Sequence, residues 1–138
     1  MGYRRKAREL ALQALFYMDI RNSFSNESLM LFKKYLSSGE SEFLNLLTEG
    51  VVENKEDIDR VIEKHSSNWR LHRMSCVDRN ILRFAVYELC YCFDIPHKVS
   101  INEAIDIGKK FGTRESGGFI NGLLDSIRKT LEKNERQS

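Results

Sequence analysis

The segment 77–93 constrains the fold more than any other part of the chain. Apolar side chains cover most of the circumference of a helix drawn through it, and polar side chains lie mainly in a strip near Arg79, Asn80 and Arg83. A helix that is apolar on nearly every side is stable only when other helices surround it. The segment therefore predicts the central helix of a helical bundle.

The remainder of the chain also favours an all-α fold. Pro96 is the single proline, and no long alternating Val/Thr-rich run suggests a strand. Apolar residues recur at three- and four-residue steps over 3–20, which predicts the first helix. A long helix is predicted to begin at Ser41, and the polar stretch 53–57 leaves open whether it is continuous.

Two helices are predicted after the proline. Ser100 is followed three residues later by a glutamate, which is the capping-box pattern and predicts a helix over 100–111. Gly112 is predicted to end that helix in the left-handed conformation. A last helix is predicted from Ser116, and its end, residues 132–138, lacks an apolar anchor and is expected to fray.

The first eight residues carry a cluster of positive charge, called here the basic arm: Arg4, Arg5, Lys6 and Arg8. The whole chain has a formal charge of +2, so the rest of it sums to −2. Such a local cluster favours binding to an anionic polymer, because each neutralised phosphate releases condensed counterions. A solvated helix end is the plainer alternative.

Two features lie beside charged groups on predicted helices. Leu12 and Phe16 are apolar but lie on the same face of the predicted helix as charged residues. This indicates either that the helix is buried on two sides or that the face binds another protein. Phe119 lies about 100° away from the apolar stripe of the last helix. An aromatic ring there, near the polar face of Asn102, Asp106 and Lys109 with Lys98 just upstream, suits single-stranded RNA, although a core contact explains it equally.

Catalytic and metal-binding patterns are missing from the sequence. His72 and Cys76 are spaced by four without a second pair, and Cys90 and Cys92 lack zinc-knuckle spacing. The glycines fit no phosphate-binding loop, and no histidine has a nucleophile partner. We therefore predict no catalytic residue, no metal and no cofactor.

Three cysteines without an export signal indicate a reduced, cytoplasmic protein. No apolar run approaches the ~20 residues of a membrane span, so no membrane association is predicted.

Several segments, in the same order, resemble the NusB family of bacterial transcription antitermination factors. The first is Arg4-Arg5-Lys6-Ala7-Arg8-Glu9-Leu10-Ala11-Leu12-Gln13-Ala14-Leu15-Phe16. The others are Asp78-Arg79-Asn80-Ile81-Leu82-Arg83-Phe84-Ala85-Val86-Tyr87-Glu88-Leu89, Ile95-Pro96-His97-Lys98-Val99-Ser100-Ile101-Asn102-Glu103-Ala104 and Phe119-Ile120-Asn121-Gly122-Leu123-Leu124-Asp125.

The resemblance implies a single domain over 1–138 with about seven helices in two packed bundles. It also implies a non-enzymatic factor that binds the boxA element of ribosomal RNA leader transcripts. The family's protein partner is NusE, a small-subunit ribosomal protein, and together they help the RNA polymerase antitermination complex to read through terminators.

The resemblance also assigns individual residues. The basic arm would hold RNA together with Lys98, Asn102 and Phe119. Glu115 matches an acidic position that tempers RNA affinity, and Phe16 and Asp78 match positions that face NusE, with Leu12 beside them. On this basis Arg5→Ala or Arg8→Ala is expected to weaken RNA binding and to flatten its salt dependence.

The chain departs from the family in two places, and its sequence also allows two alternative functions. Relatives often have tyrosine where this chain has Phe16, and residues 22–76 show little family signature. A similar helical domain forms the N-terminal part of ribosomal RNA cytosine methyltransferases. A homodimer formed through Leu12 and Phe16 is the other alternative.

Overall fold

The computed structural model describes residues 2–36, 40–67 and 70–137, without the side chains of 136 and 137, and within these ranges the fold is all-α. The residues in these ranges form six α-helices and one 3-10 turn at Leu71–Arg73. The helices are α1 (Gly2–Ile20), α2 (Asn26–Lys33), α3 (Glu42–His65), α4 (Cys76–Tyr91), α5 (His97–Phe111) and α6 (Ser116–Gln137). The predicted fold class is confirmed.

Helix α4 is the central helix, as the apolar segment predicts. Every residue from Asn80 to Leu89 is buried, and α4 contacts α1, α3, α5 and α6. Helices α1, α2 and α3 pack together, α5 packs on α6, and both groups contact α4 around one continuous hydrophobic core. The helix begins at Cys76, where Ser75 accepts a hydrogen bond from the backbone N–H of Asp78.

Helix α3 is interrupted by a kink. Ser41 caps it, accepting a hydrogen bond from the backbone N–H of Leu44 (3.1 Å). At Asn54 the backbone leaves helical geometry (φ −114°, ψ 19°), and the Asn54 side-chain amide donates to the Gly50 carbonyl (2.8 Å). In a regular helix that carbonyl would accept a backbone N–H hydrogen bond, so its hydrogen bond with the side chain explains the bend.

Close packing between α3 and α4 requires glycine at position 50. A Cβ there would overlap the ring of Tyr87, which is 8% exposed and stacks on Tyr91 at a centroid distance of 5.0 Å. We expect Gly50→Ala to lower the free energy of unfolding by about 1–3 kcal/mol, because two packed rings must shift. Urea denaturation measures this.

The matched control is Gly122→Ala in α6, where a Cβ would meet nothing within 4 Å. This substitution should not destabilise the chain, since alanine is the better helix former. Equal unfolding midpoints for the two variants would show that the α3–α4 contact tolerates a larger side chain.

The predicted capping box of α5 is wrong. The helix begins at His97, directly after the proline, and Ser100 is 1% exposed within its first turn. The Ser100 hydroxyl donates to Glu88 (2.8 Å), and the carboxylate of Glu103 accepts from Arg5. Both side chains of the pattern are therefore engaged by other helices.

The predicted end of α5 needs correction in part. Helix α5 does end at Phe111, but Gly112 is extended (φ −95°, ψ −157°), and a side chain there would collide with Ser116. Helix α6 begins at Ser116 as predicted and runs to Gln137. Within it, Glu132 accepts a hydrogen bond from Arg128 one turn earlier (2.9 Å).

Candidate nucleic-acid interface

The basic arm forms the first two turns of α1, so its four cations point in different directions. Arg4 and Lys6 are exposed, Arg5 is partly buried, and Arg8 is 2% exposed. The Nη2 atom of Arg4 lies 3.7 Å from Oδ2 of Asp94. Within the described ranges, Lys6 has no salt-bridge partner, which leaves its charge available at the surface.

Arg8 is an internal residue, which corrects its predicted role in RNA binding. Its Nε and Nη2 donate to the two carboxylate oxygens of Glu88 (2.9 and 2.8 Å), and Glu88 is 0% exposed. Ser100 donates a further hydrogen bond to the same carboxylate. Arg8 therefore joins α1 to α4 and α5 and presents no cation to a ligand.

Leu12 is also buried, so the predicted partner patch loses its first member. It lies one turn after Arg8 on the same face of α1, is 5% exposed and packs in the core. Phe16, one turn further, is partly buried. The sequence carried a signal for this outcome, because Arg8, Leu12 and Leu15 follow the i, i+4, i+7 spacing of one helix face.

Arg5 is held by two carboxylates of α5. Its Nε and Nη2 donate to the two oxygens of Glu103 (2.6 and 2.7 Å), and its Nη2 also donates to Asp106 (3.0 Å). The hydrogen bond to Glu103 raises the pKa of Arg5, and the same bond lowers the pKa of Glu103. Both groups are charged at neutral pH, and Arg5 lies fixed against α5.

An open groove between α5 and the start of α6 continues from this ion pair. It is lined by Asn102, Ile105, Asp106, Lys109, Gly117, Gly118 and Asn121. Asp106 belongs both to the groove and to the Arg5 cluster, so the arm and the groove share one surface. Asn102 and Lys98 are exposed, as the sequence predicts for this face of α5.

A second recess gathers three of the residues that the resemblance assigns. It is lined by Arg73, Met74, Ser75, Asp78, Glu115 and Phe119. Phe119 is partly buried and packs against the core, while Glu115 is exposed. The 3-10 turn contributes Arg73, which the sequence reasoning missed because residues 65–76 show no periodic pattern.

Asp78 has an unusual environment within this recess. Its residue is partly buried, and its Oδ1 atom is buried without a hydrogen-bond partner in the part of the chain that the structure describes. Buried carboxylate oxygens normally have partners. Asp78 is thus suited to accept a hydrogen bond from a donor that approaches this end of α4.

Other kinds of site find no support among residues 2–36, 40–67 and 70–137. No group of three or more His, Cys, Asp or Glu side chains there is arranged to hold a metal ion. Burial raises the pKa of the Cys92 thiol to about 11. No helix in these ranges is long and apolar enough to cross a membrane.

Comparison with known proteins gives a consistent result across nearly the whole chain. The sequence profile of the NusB family matches residues 5–129. The transcription antitermination protein NusB of Desulfatibacillum aliphaticivorans is 54% identical over 99% of this chain and 96% of its own length. That of Myxococcus xanthus is 46% identical over 96% and 99%.

Solved structures agree with the sequence comparison. The structure of T. maritima NusB has a TM-score of 0.79 and 39% identity, covering 91% of this chain and 90% of its own. A structure described as antitermination factors NusB and NusE in complex with dsRNA has a TM-score of 0.80 and 31% identity, covering 94% and 98%. Sequence and fold therefore point to the same group of proteins.

Proposed function

Because the chain belongs to the NusB family, we propose that it is a transcription antitermination factor that binds RNA together with a NusE partner. It is a binding protein and not an enzyme. The single observation that carries the RNA-binding proposal is the continuity of the basic arm with the α5–α6 groove through Asp106. This gives an RNA strand one surface that combines cations and amides.

The proposed RNA surface has three kinds of side chain. Lys6, Arg5, Arg4 and Lys98 supply positive charge, Asn102 supplies an amide for base edges, and Phe119 supplies an aromatic ring. Glu115 lies beside Phe119 and opposes phosphate by charge repulsion. Arg8 contributes indirectly, because its buried ion pair with Glu88 fixes α1 against α4, and Ser100 of α5 donates to the same carboxylate.

The proposed NusE surface is smaller than the sequence suggests. Phe16 offers a partly buried aromatic ring, and Asp78 offers an unpaired carboxylate oxygen. Asp78 shares its recess with Phe119, so the proposed protein and RNA sites adjoin each other. Adjacent sites allow cooperative binding, in which NusE raises RNA affinity by the same factor as RNA raises NusE affinity.

The natural RNA is proposed to be the boxA element of ribosomal RNA leader transcripts. The protein would act as a single domain in the cytoplasm, within the antitermination complex of RNA polymerase. The alternatives receive less support. Leu12 is buried, which removes half of the proposed dimer patch. The compared curated relatives match over nearly their whole length and are antitermination proteins, not methyltransferases.

The proposal is tested by titrating a boxA RNA and a scrambled RNA with and without NusE at two salt concentrations. We expect salt-sensitive binding that prefers boxA and tightens with NusE. We expect Lys6→Gln to weaken binding roughly three- to tenfold and to reduce the slope of log K against log salt by about 0.7, the value for one single-strand phosphate contact.

The matched control is Lys34→Gln, which removes one exposed positive charge at the end of α2. It should leave the affinity and the slope close to those of the unmodified chain. Equal binding of the two RNAs, unaffected by NusE, would contradict the proposed function. Equal effects of the two lysine substitutions would remove the basic arm from the interface.

A further inference from the structure

Three of the four cations of the basic arm lie near carboxylates within the fold. Arg8 is paired with Glu88, Arg5 with Glu103 and Asp106, and Arg4 lies near Asp94. The cluster that looks strongly cationic in the sequence therefore faces carboxylates from α4, α5 and the loop between them. An RNA phosphate that approaches the arm must compete with anions that are already in place.

The two carboxylates at Arg5 differ in geometry and exposure. Glu103 makes two short hydrogen bonds to Arg5 and also lies 3.4 Å from Nη1 of Arg8, and its side chain is 23% exposed. Asp106 makes one longer bond of 3.0 Å and is 53% exposed. Glu103 therefore orients the guanidinium, whereas Asp106 covers its solvent-facing Nη2 edge.

Asp106 also faces the groove proposed for RNA. Asn102 and Lys109, one turn away on either side, line the same groove, and the stem of Lys109 passes close to Gly117. The neighbouring Lys110 is already paired with Glu9 (3.1 Å). Asp106 thus stands between a cation of the arm and the amides of the groove.

We propose that Asp106 limits RNA affinity by occupying, at Nη2 of Arg5, the position that an RNA phosphate takes in the complex. This rests on the proposed function and deepens it. A phosphate and a carboxylate close to one guanidinium repel each other, so binding requires the exposed Asp106 side chain to turn away. Glu103 stays in place and keeps Arg5 aligned for the phosphate.

Asp106→Asn tests the proposal, because it removes the charge while keeping the size of the side chain. We expect RNA to bind about three- to tenfold more tightly at ~0.1 M salt, with a salt slope steeper by about 0.7. NusE binding without RNA should not change. Thermal unfolding confirms that the variant is folded.

The charge-matched control is Glu56→Gln, an exposed carboxylate near the kink of α3. Phe43, at the start of α3, lies against Arg4 and Arg8 of the arm. Glu56 is 13 residues further along α3, or about 20 Å of helix, which is beyond the ~10 Å screening length at 0.1 M salt. A second test combines Asp106→Asn with Arg5→Ala. If the gain acts through Arg5, the same substitution should give less than a twofold gain in that background.

The outcomes separate this inference from the proposed function. Salt-dependent boxA binding with no gain in Asp106→Asn, or with an equal gain in Glu56→Gln, overturns the role of Asp106 alone. An undiminished gain in the Arg5→Ala background overturns it as well. Absence of boxA binding by the unmodified chain, with and without NusE, overturns both.

Discussion

Replacing Arg8 with alanine is expected to lower the free energy of unfolding by about 3–5 kcal/mol. The substitution leaves Glu88, which is 0% exposed, with Ser100 as its remaining hydrogen-bond donor in the described ranges. A buried carboxylate without its counter-ion is strongly destabilising, whereas the intact pair is compensated by two hydrogen bonds. Chemical denaturation followed by circular dichroism measures the loss.

The control for this prediction removes both charges. The double variant Arg8→Met, Glu88→Leu should recover much of the lost stability, because no unpaired charge remains in the core. If Arg8 instead lay at the surface and held RNA, as predicted from the sequence, Arg8→Ala would leave the free energy of unfolding unchanged and would reduce the salt dependence of RNA binding. Finding that pattern would contradict the buried ion pair.

Replacing Asp19 with alanine is expected to remove about 3 kcal/mol at neutral pH. Asp19 lies near the end of α1, where its carboxylate accepts hydrogen bonds from Arg79 (2.6 and 2.8 Å), Asn80 (2.8 Å) and Arg83 (3.0 Å). Its loss leaves the two arginines short of a counter-charge, although Arg83 keeps Asp59. The control is Asp125→Ala, an acceptor for Arg128 within α6, which should cost less than about 1 kcal/mol.

The same carboxylate predicts a pH dependence. Burial would raise the pKa of Asp19, but the hydrogen bonds from Arg79 and Asn80 and the nearby positive charges outweigh burial and lower this pKa to about 2. Its contribution to stability is therefore complete above about pH 4 and is lost as the pH falls towards 2. The Asp19→Ala variant should lack this part of the acid-induced loss of stability. If its stability depends on pH as that of the unmodified chain does, the pH prediction is contradicted. If Asp19→Ala lowers the free energy of unfolding no more than Asp125→Ala does, the predicted cost at neutral pH is contradicted.

The hydrophobic pattern predicted the architecture because it depends on residues close together in the chain. The apolar circumference of 77–93 required a surrounded helix, and α4 is buried throughout its middle. Ser41 was recognised as the start of a helix because a cap acts over three residues. The kink in α3 also arises from local geometry at Asn54. In the sequence, Gly50 and the polar stretch after it left open whether the helix is continuous, so the kink was not predicted.

Side chains with long-range partners were predicted less well. Ser100 and Glu103 have capping-box spacing, yet each meets a partner on another helix. The polar face of Asn102, Asp106 and Lys109 depends only on helical spacing, and all three residues are exposed as predicted. The recess that contains Asp78 and Phe119 was not visible in the sequence, because it includes the aperiodic 3-10 turn.

The sequence by itself determined the helices, the central position of α4 and the family, because each follows from local periodicity and ordered motifs. Only the tertiary structure decided which cations of the basic arm reach the surface. Arg8 and Glu88 are 80 positions apart and Arg5 and Glu103 are 98 apart, so no local pattern pairs them. The way three helices meet buries the Arg8–Glu88 pair and leaves the Arg5–Glu103 pair partly accessible, and this difference distinguishes a structural arginine from one that can bind a ligand.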